Sequence, residues 1–383
     1  MKDIYISGVA MTRFGKHDQA SMQDLAQEAV LGAVADASET LDNVEAFYCG
    51  NVFGGMILGQ VLLRDLALAG VPVYNIENAC ASGASAVHLA MHALRAGVYE
   101  TVVVFGVEQL TKLGGGTIPL QLNDYKTGLY AEQGMVLPAV YAMRGTRYLH
   151  EHGVTSEVLA KVAVKNRYNG SLNPYAQTRK ETTVDEVLGS RMIADPLTLL
   201  QCCPSAVDGS AALVLTTRKP QGRHAPVRII GSVVQSGIRE QHDDDILDAE
   251  ITARAARLAY RQAGIGPSEV DVVELHDAFT IAELIYYEAL GLCAPGEGAA
   301  LLESGETSLS GRIPVSPSGG LLAKGHPLGA TGVAQMTEIV WQLQRRAGDR
   351  QITKHARIGL AQCTGGGIAG VDHAASSVHI LSL

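Results

Sequence analysis

Short apolar runs alternate with amphipathic stretches along the chain, and that alternation sets the expected architecture. Ile4 to Val9, Ala46 to Cys49, Val73 to Ile76 and Thr101 to Phe105 read as strands, the last almost wholly apolar and so buried. Between them, Ser21 to Ala37, Gln60 to Ala69 and the stretch from Cys80 to Arg95 read as helices. The first is opened by a capping-box-like Ser21-x-x-Asp24. The last third repeats the order: strand Val227 to Val234, helix Asp248 to Ala263, strand Val270 to Leu275, helix Ala278 to Leu290, strand Ile313 to Val315, helix Thr331 to Arg345 and strand Ile358 to Ala361. Strands alternating with helices predict parallel α/β layers. The same order met twice predicts a duplicated unit whose halves pack against each other. Local echoes agree: Val44 to Tyr48 resembles Val270 to Glu274, and Ala81-Ser82-Gly83-Ala84 resembles Ala330-Thr331-Gly332-Val333.

From Gly114 to Ser205 the pattern changes to a glycine run, many tyrosines and helix-like pieces such as Thr155 to Asn169. This segment reads as an insertion before a closing strand, Ala211 to Thr216. The expected division is therefore 1–113 with 206–222 as an N-terminal half, 114–205 as an inserted loop domain, and 223–383 as a C-terminal half.

Composition bounds the function. With 383 residues, 47% hydrophobic, the chain can bury a large core. A net charge of −9 argues against nucleic-acid binding, and no apolar run has the length of a membrane span. The six cysteines lack CxxC spacing, which argues against a disulfide framework or zinc site and suits a reducing, cytoplasmic setting. The inserted segment carries nine Lys/Arg against eight Asp/Glu. Arg144, Arg147, Lys161, Lys165, Arg167, Arg179, Lys180 and Arg191 are thus candidates for contacting a phosphate, or an ordinary solvated surface.

Four segments carry candidate chemistry. Cys80 stands where a helix is expected to begin after a short strand, among Ala79, Ala81, Ser82, Gly83 and Ala84. A helix N-terminus lowers a thiol's pKa, although a packed structural cysteine fits the same stretch. VDVVELHDAF ends a strand in His276 and Asp277, and SPSGGLLAKGHPLGATG holds His326 in a glycine- and proline-rich loop. In GLAQCTGGGIAG, Cys363 is expected to follow a strand and to precede glycines whose amides are exposed. Together they supply a nucleophilic thiol, two imidazoles, a second thiol and an amide-lined loop, the parts needed for acyl transfer through a thioester.

The motifs ACASG, HDAF, GHPLGATG and CTGGG resemble the signature of the thiolase family, over essentially the whole chain. LQCCPSAVDGSAALVL, ELHDAFTIAELIYYEALGLC and SGGLLAKGHPLGATGVAQ are similar to the sterol-carrier-protein-x-type and archaeal branch, which has His where other thiolases have the Asn of an NEAF motif. Here that position is His276. Members of the branch commonly read HDCF, with the acid/base cysteine there; this chain has Ala278 instead and keeps Cys363 before the final glycines, as conventional thiolases do.

The resemblance implies a thiolase-like α/β fold, two similar βαβαβαββ halves packed as a five-layered α-β-α-β-α core with an inserted loop domain. It implies reversible CoA-dependent cleavage of a 3-oxoacyl-CoA, or Claisen condensation, through an acyl-enzyme on Cys80. His326 would take the thiol proton, His326 and His276 would hold the enolate oxygen, and Cys363 would handle the α-carbon proton. The backbone amides of Cys80 and Gly365 would form a second oxyanion site. CoA enters as substrate, with no prosthetic group and no metal. A homodimer or homotetramer is implied, and a small OB-fold, zinc-ribbon partner known in this branch is left open. One alternative is a thiolase-like subunit that works with that partner on an aryl or steroid acyl-CoA; the others are a ketosynthase, a non-catalytic acyl-CoA binder, and a subunit repurposed as a steroid-side-chain aldolase. Ketosynthases need no second cysteine, and in the binder and the aldolase the nucleophile is typically lost, so intact Cys80, His276, His326 and Cys363 weigh against these last three.

Overall fold

A computed structural model describes residues 2–66, 70–114, 136–221, 224–237, 246–366 and 374–383. Its strands are β1 (Tyr5–Met11), β2 (Phe47–Gly50), β3 (Val73–Ile76), β4 (Thr101–Gln109), β5 (Met192–Ala194), β6 (Leu197–Thr198), β7 (Asp208–Thr216), β8 (Val227–Ser236), β9 (Val272–Glu274), β10 (Ile358–Gly365) and β11 (Ala375–Ser382). All but β5 and β6, which pair with each other, form one sheet in the order β3-β2-β4-β7-β1-β8-β11-β10-β9.

The seam in that sheet is slender, since β1 and β8 meet only at Tyr5–Arg228 and Ile6–Val227. On either side the pairing repeats. In the first half β2 is parallel to β3 and β4, while β7 is antiparallel to β4 and β1. In the second, β9 is parallel to β10 and to the single residue Val315, while β11 is antiparallel to β10 and β8. The duplication expected from the alternating pattern is thus a property of the fold. The expected strand Ile313 to Val315 shrinks to that one bridge. Pro314 has no N–H to give, and its carbonyl accepts from Val273 at 2.9 Å, so the ladder stops after Ser316 N–H reaches Val273 at 2.8 Å.

Helix α1 (Met22–Asp36) covers the outer face of the first half with a stripe of Leu25, Ala26, Ala29, Val30, Ala33 and Val34, and its capping box joins Ser21 and Asp24 as the sequence predicts. The expected helix from Gln60 is shorter, an α2 (Leu58–Leu63) followed by a 3₁₀ turn to Leu66; residues 67–69 lie outside the described residues. Helices α3 (Ser82–Arg95), α4 (Leu137–His152), α5 (Glu157–Ser171), α6 (Val184–Leu188), α7 (Glu250–Ala263), α8 (Thr280–Ala289), α9 (Gly298–Glu303), α10 (Gly320–Ala323) and α11 (Leu328–Leu343) follow.

α7 covers the outer face of the second half, and α3 and α11 lie together between the half-sheets. The layers therefore run α-β-α-β-α. Every residue of α11 is buried, which is what a central layer requires. Glycines permit the close approach there: a Cβ on Gly83 would lie 2.5 Å from the Gly329 carbonyl, and one on Gly332 2.6 Å from Ala84. The 136–205 stretch packs α4 and α5 onto α8, where Tyr148 donates to Glu288 at 3.0 Å and Lys165 pairs with Glu283 at 2.6 Å.

Candidate active site

The chain leaves β3 and turns sharply before α3, and Cys80 sits on that turn. Ala79 adopts φ +48°, a left-handed conformation that costs an alanine roughly 1–2 kcal/mol and must be held by its surroundings. They do hold it. The Ala79 N–H donates to Glu77 at 2.6 Å, the Ala79 carbonyl accepts from Ser82 Oγ at 2.6 Å, and Asn78 bonds Ser82 and Ser85 at 2.9 and 2.8 Å. Cys80 is thereby placed two residues ahead of the first helical residue, Ser82, with Ala81 as the N-cap, so the helix starts later than the sequence pattern suggests. Its side chain is partly exposed.

The thiol's electrostatics also differ from the sequence expectation. Burial and the neighbouring Glu108 push it up to about 12, against pulls from its own N–H and that of Gly366. The resting sulfur is therefore a thiol. Nucleophilicity has to come from a base beside it.

His326 lies in that position. One ring nitrogen each from His326 and His276 and the Cys80 sulfur all lie within 4.8 Å of one another. The two imidazoles meet edge to face, centroids 4.9 Å apart. Burial holds His326 well below the ordinary imidazole range, helped by His276 and Lys324, and holds His276 down to about 4, so both rings are neutral near pH 7. Cys363 Sγ donates to the Cys80 carbonyl at 3.2 Å, and its thiol is pushed up by burial and by Cys80.

Cys363 lies inside β10, not after a strand as the sequence suggested. Pairing with β11, which no local pattern announced, extends the ladder through Cys363–Ser377 and Gly365–Ala375. Gly365 is pressed against the Cys80 turn: a Cβ there would stand 2.1 Å from the Asn78 carbonyl and 3.1 Å from the Cys80 nitrogen. The third glycine of the run, Gly367, lies outside the described residues.

Glu108 escaped sequence reasoning, and Asp277 was named there only as a polar strand end. Glu108, at the end of β4, is fully buried and accepts from Asn51 Nδ2 and from the N–H groups of Val52, Phe53 and Gly329, each at 3.1 Å. It ties the 51–53 loop to the loop carrying His326, and burial pushes its carboxyl up to about 7 against those donors. Asp277 fastens the other end of that loop by accepting from Leu321 N–H at 2.8 Å and Asn166 at 2.7 Å. A Cβ on Gly320 would strike Asp277 at 2.0 Å, so the glycine is obligatory. The local signal for Glu108 was a lone carboxylate at the end of an apolar run.

Of the basic residues considered for phosphate contact, Lys165, Lys161 and Arg147 are engaged by Glu283, Glu303 and Glu151, and Arg144 is buried. Arg179, Lys180 and Arg191 are exposed. Sulfur with two imidazoles is also a donor set that a soft divalent ion accepts.

A thiol beside a neutral imidazole, with a second thiol and a second imidazole converging on the same space, supplies the parts that acyl transfer through a thioester requires. Residues 4–219 match the family described as thiolase, N-terminal domain, and residues 233–382 match thiolase C-terminal domain-like. The chain belongs to the thiolase family and is an acyltransferase. It is 40% identical over 373 residues to the benzoylsuccinyl-CoA thiolase subunit BbsB of Thauera aromatica, covering 96% of this chain and 95% of that one. It is 39% identical over 390 residues to the acetyl-CoA acetyltransferase of Methanothermobacter thermautotrophicus, covering 100% of both. The solved structure described as Ltp2-ChsH2(DUF35) aldolase shares 26% identity and a TM-score of 0.85, covering 99% of this chain and 97% of that one.

Proposed function

We propose that the chain is a thiolase that reversibly cleaves a 3-oxoacyl-CoA with CoA through a thioester on Cys80. The observation that carries this reading is the convergence of Cys80, His276 and His326 within 4.8 Å, with Cys363 bonded to the Cys80 carbonyl. His326 takes the Cys80 proton as the sulfur attacks the 3-oxo carbon. Because the resting thiol is pushed up and the imidazole down, the ion pair forms only as charge passes into the carbonyl. The resulting alkoxide accepts from the amides of Cys80 and Gly365, and such donors are worth ~10²–10³ each in rate.

Cleavage of the C2–C3 bond leaves the acyl group on Cys80 and an acyl-CoA enolate whose oxygen accepts from protonated His326 and from His276. Cys363 gives its proton to C2. After that product leaves, the Cys363 thiolate takes the proton of incoming CoA, whose sulfur attacks the Cys80 thioester. The released Cys80 thiolate recovers its proton from His326, and the cycle closes. The reverse sequence is a Claisen condensation.

The same reading includes a homodimer or homotetramer joined at the β3 edge, where Tyr74 is 43% exposed. A second protein subunit is a further element of the reading, supported by two similar proteins, the thiolase subunit BbsB and the Ltp2-ChsH2(DUF35) aldolase.

Brief incubation with an acyl-CoA followed by peptide mass mapping tests the core of the proposal. The acyl mass is expected on the peptide containing Cys80, together with thiolysis of acetoacetyl-CoA or a larger 3-oxoacyl-CoA. Acylation on Cys363 with Cys80 free would overturn it.

A further inference from the structure

Among the described residues, His276 has a partner on one ring nitrogen and none on the other. Nδ1 lies 3.1 Å from Thr364 Oγ1, whereas Nε2 is buried without a hydrogen-bond partner. Thr364 Oγ1 is in turn 3.1 Å from the Tyr286 hydroxyl, and both residues are buried. Tyr286 also bonds Tyr141, which stacks on Phe279 with centroids 4.4 Å apart. None of these hydroxyls has a place in the proposed proton transfers.

Each hydroxyl has one proton, so the chain can be read as a set of directions. If the Tyr286 proton goes to Thr364, the Thr364 proton is free for His276 Nδ1. A neutral imidazole that accepts at Nδ1 carries its proton on Nε2. That is the form in which His276 can donate to an enolate oxygen. The opposite tautomer would present a lone pair to a developing negative charge.

We propose that Tyr286, acting through Thr364, fixes His276 as the Nε2–H tautomer and so makes it a hydrogen-bond donor to the enolate oxygen. Tyr286 is thus a positioning residue, as is Thr364. This rests on the thiolase reading above. It goes beyond that reading by assigning a task to two residues, one ten positions from His276 and the other 88.

Nitrogen-15 spectra of histidine-labelled protein, with the His276 signals identified by their loss in His276→Asn, read the tautomer without any substrate. Wild type is expected to show Nε2–H, and Tyr286→Phe a shift toward Nδ1–H. In thiolysis, Tyr286→Phe is expected to lower kcat by about tenfold, below the ~10²–10³ of a lost donor, with KM little changed. In a His276→Asn background the same change is expected to cost nothing further, because an amide carries its N–H whatever Thr364 does. Should Tyr286→Phe fail to fold, Thr364→Val removes the middle of the chain and is read in the same way. An unchanged tautomer, or an equal loss in both backgrounds, would overturn the proposal. A wild type that shows the Nε2–H form yet performs no thiolysis would instead count against the function and leave the tautomer assignment standing.

Discussion

Thr331 Oγ1 lies 2.8 Å from His326 Nδ1 while donating its own proton to the Pro327 carbonyl at 3.0 Å. The hydroxyl must therefore accept from the ring, which puts the His326 proton on Nδ1 and leaves Nε2 as the basic nitrogen. On the proposed mechanism the two histidines are set in opposite tautomers by two threonines, one suited to taking a proton and the other to donating a hydrogen bond. Thr331→Val keeps the shape and removes the acceptor. Single-turnover acylation of Cys80 should slow by one to two orders of magnitude, part of the ~10²–10⁴ that general-base catalysis supplies. Folding should survive, as judged by an unchanged circular dichroism spectrum.

Cys363→Ala should separate the half-reactions. The mutant lacks the proton donor to C2 but keeps Cys80 and His326, so transfer of an acyl group from a simple acyl-CoA to Cys80 should persist while thiolysis and condensation are lost. Mass spectrometry of the acylated protein beside a thiolysis assay checks this. Near-normal thiolysis would mean that another group moves the α-carbon proton.

How much of this site was readable in the sequence depends on the range of the interactions. Cys80, His326 and Cys363 stood out because each lies in a local cluster of glycines and small residues, and His276 because it is the polar end of an apolar strand. Glu108, Tyr286 and Thr364 did not, because their partners are distant: Gly329 is 221 positions from Glu108, and Thr364 is 78 from Tyr286. The reach of β10 past Cys363 was hidden for the same reason, since it depends on pairing with β11. The Cys80 thiol shift had the wrong sign because a helix terminus is visible in sequence and burial is not. Duplication was legible, since each half carries its own hydrophobic period.

Gly365→Ala should abolish activity. The added methyl would sit 2.1 Å from the Asn78 carbonyl, against backbone that is itself fixed by the Ser82 and Ser85 bonds. Relief requires moving the Cys80 turn, and overpacking of this kind costs about 1–3 kcal/mol. A lowered melting temperature with no detectable Cys80 acylation is expected. Full acylation would show that the turn can yield.

Zinc or cadmium should inhibit reversibly. The Cys80, His276 and His326 donors lie within 4.8 Å of one another, and an ion binding there would hold the nucleophile as a thiolate and occupy the base. Inhibition should be relieved by chelator, weakened by saturating acyl-CoA and accompanied by proton release. Calorimetric titration of Cys80→Ala should show the site lost.

Acid sensitivity should be traceable to histidines buried as neutral rings. His379 is held down to about 3, first by burial and then by His88, although its Nε2 bonds the Ala84 carbonyl at 3.1 Å; its Nδ1 is buried without a partner among the described residues. His88 is likewise held down to about 4 by burial, His92 and Arg95. A folded pKa below the unfolded value of ~6.5 means that the unfolded chain binds more protons between the two. The stability these rings contribute is therefore present above about pH 6.5 and lost as pH falls toward the folded values. Glu108 and Asp277, pushed up to about 7 and about 8, act with the opposite sign: their contribution is present at acid pH and lost as pH rises through those values. The histidine effect is best isolated away from the active site, in His379→Gln, whose amide can still donate to Ala84. Melting temperature measured from pH 7 to pH 4 should fall less steeply for this variant than for wild type. Parallel curves would show that His379 takes up its proton in the folded protein as readily as in the unfolded chain.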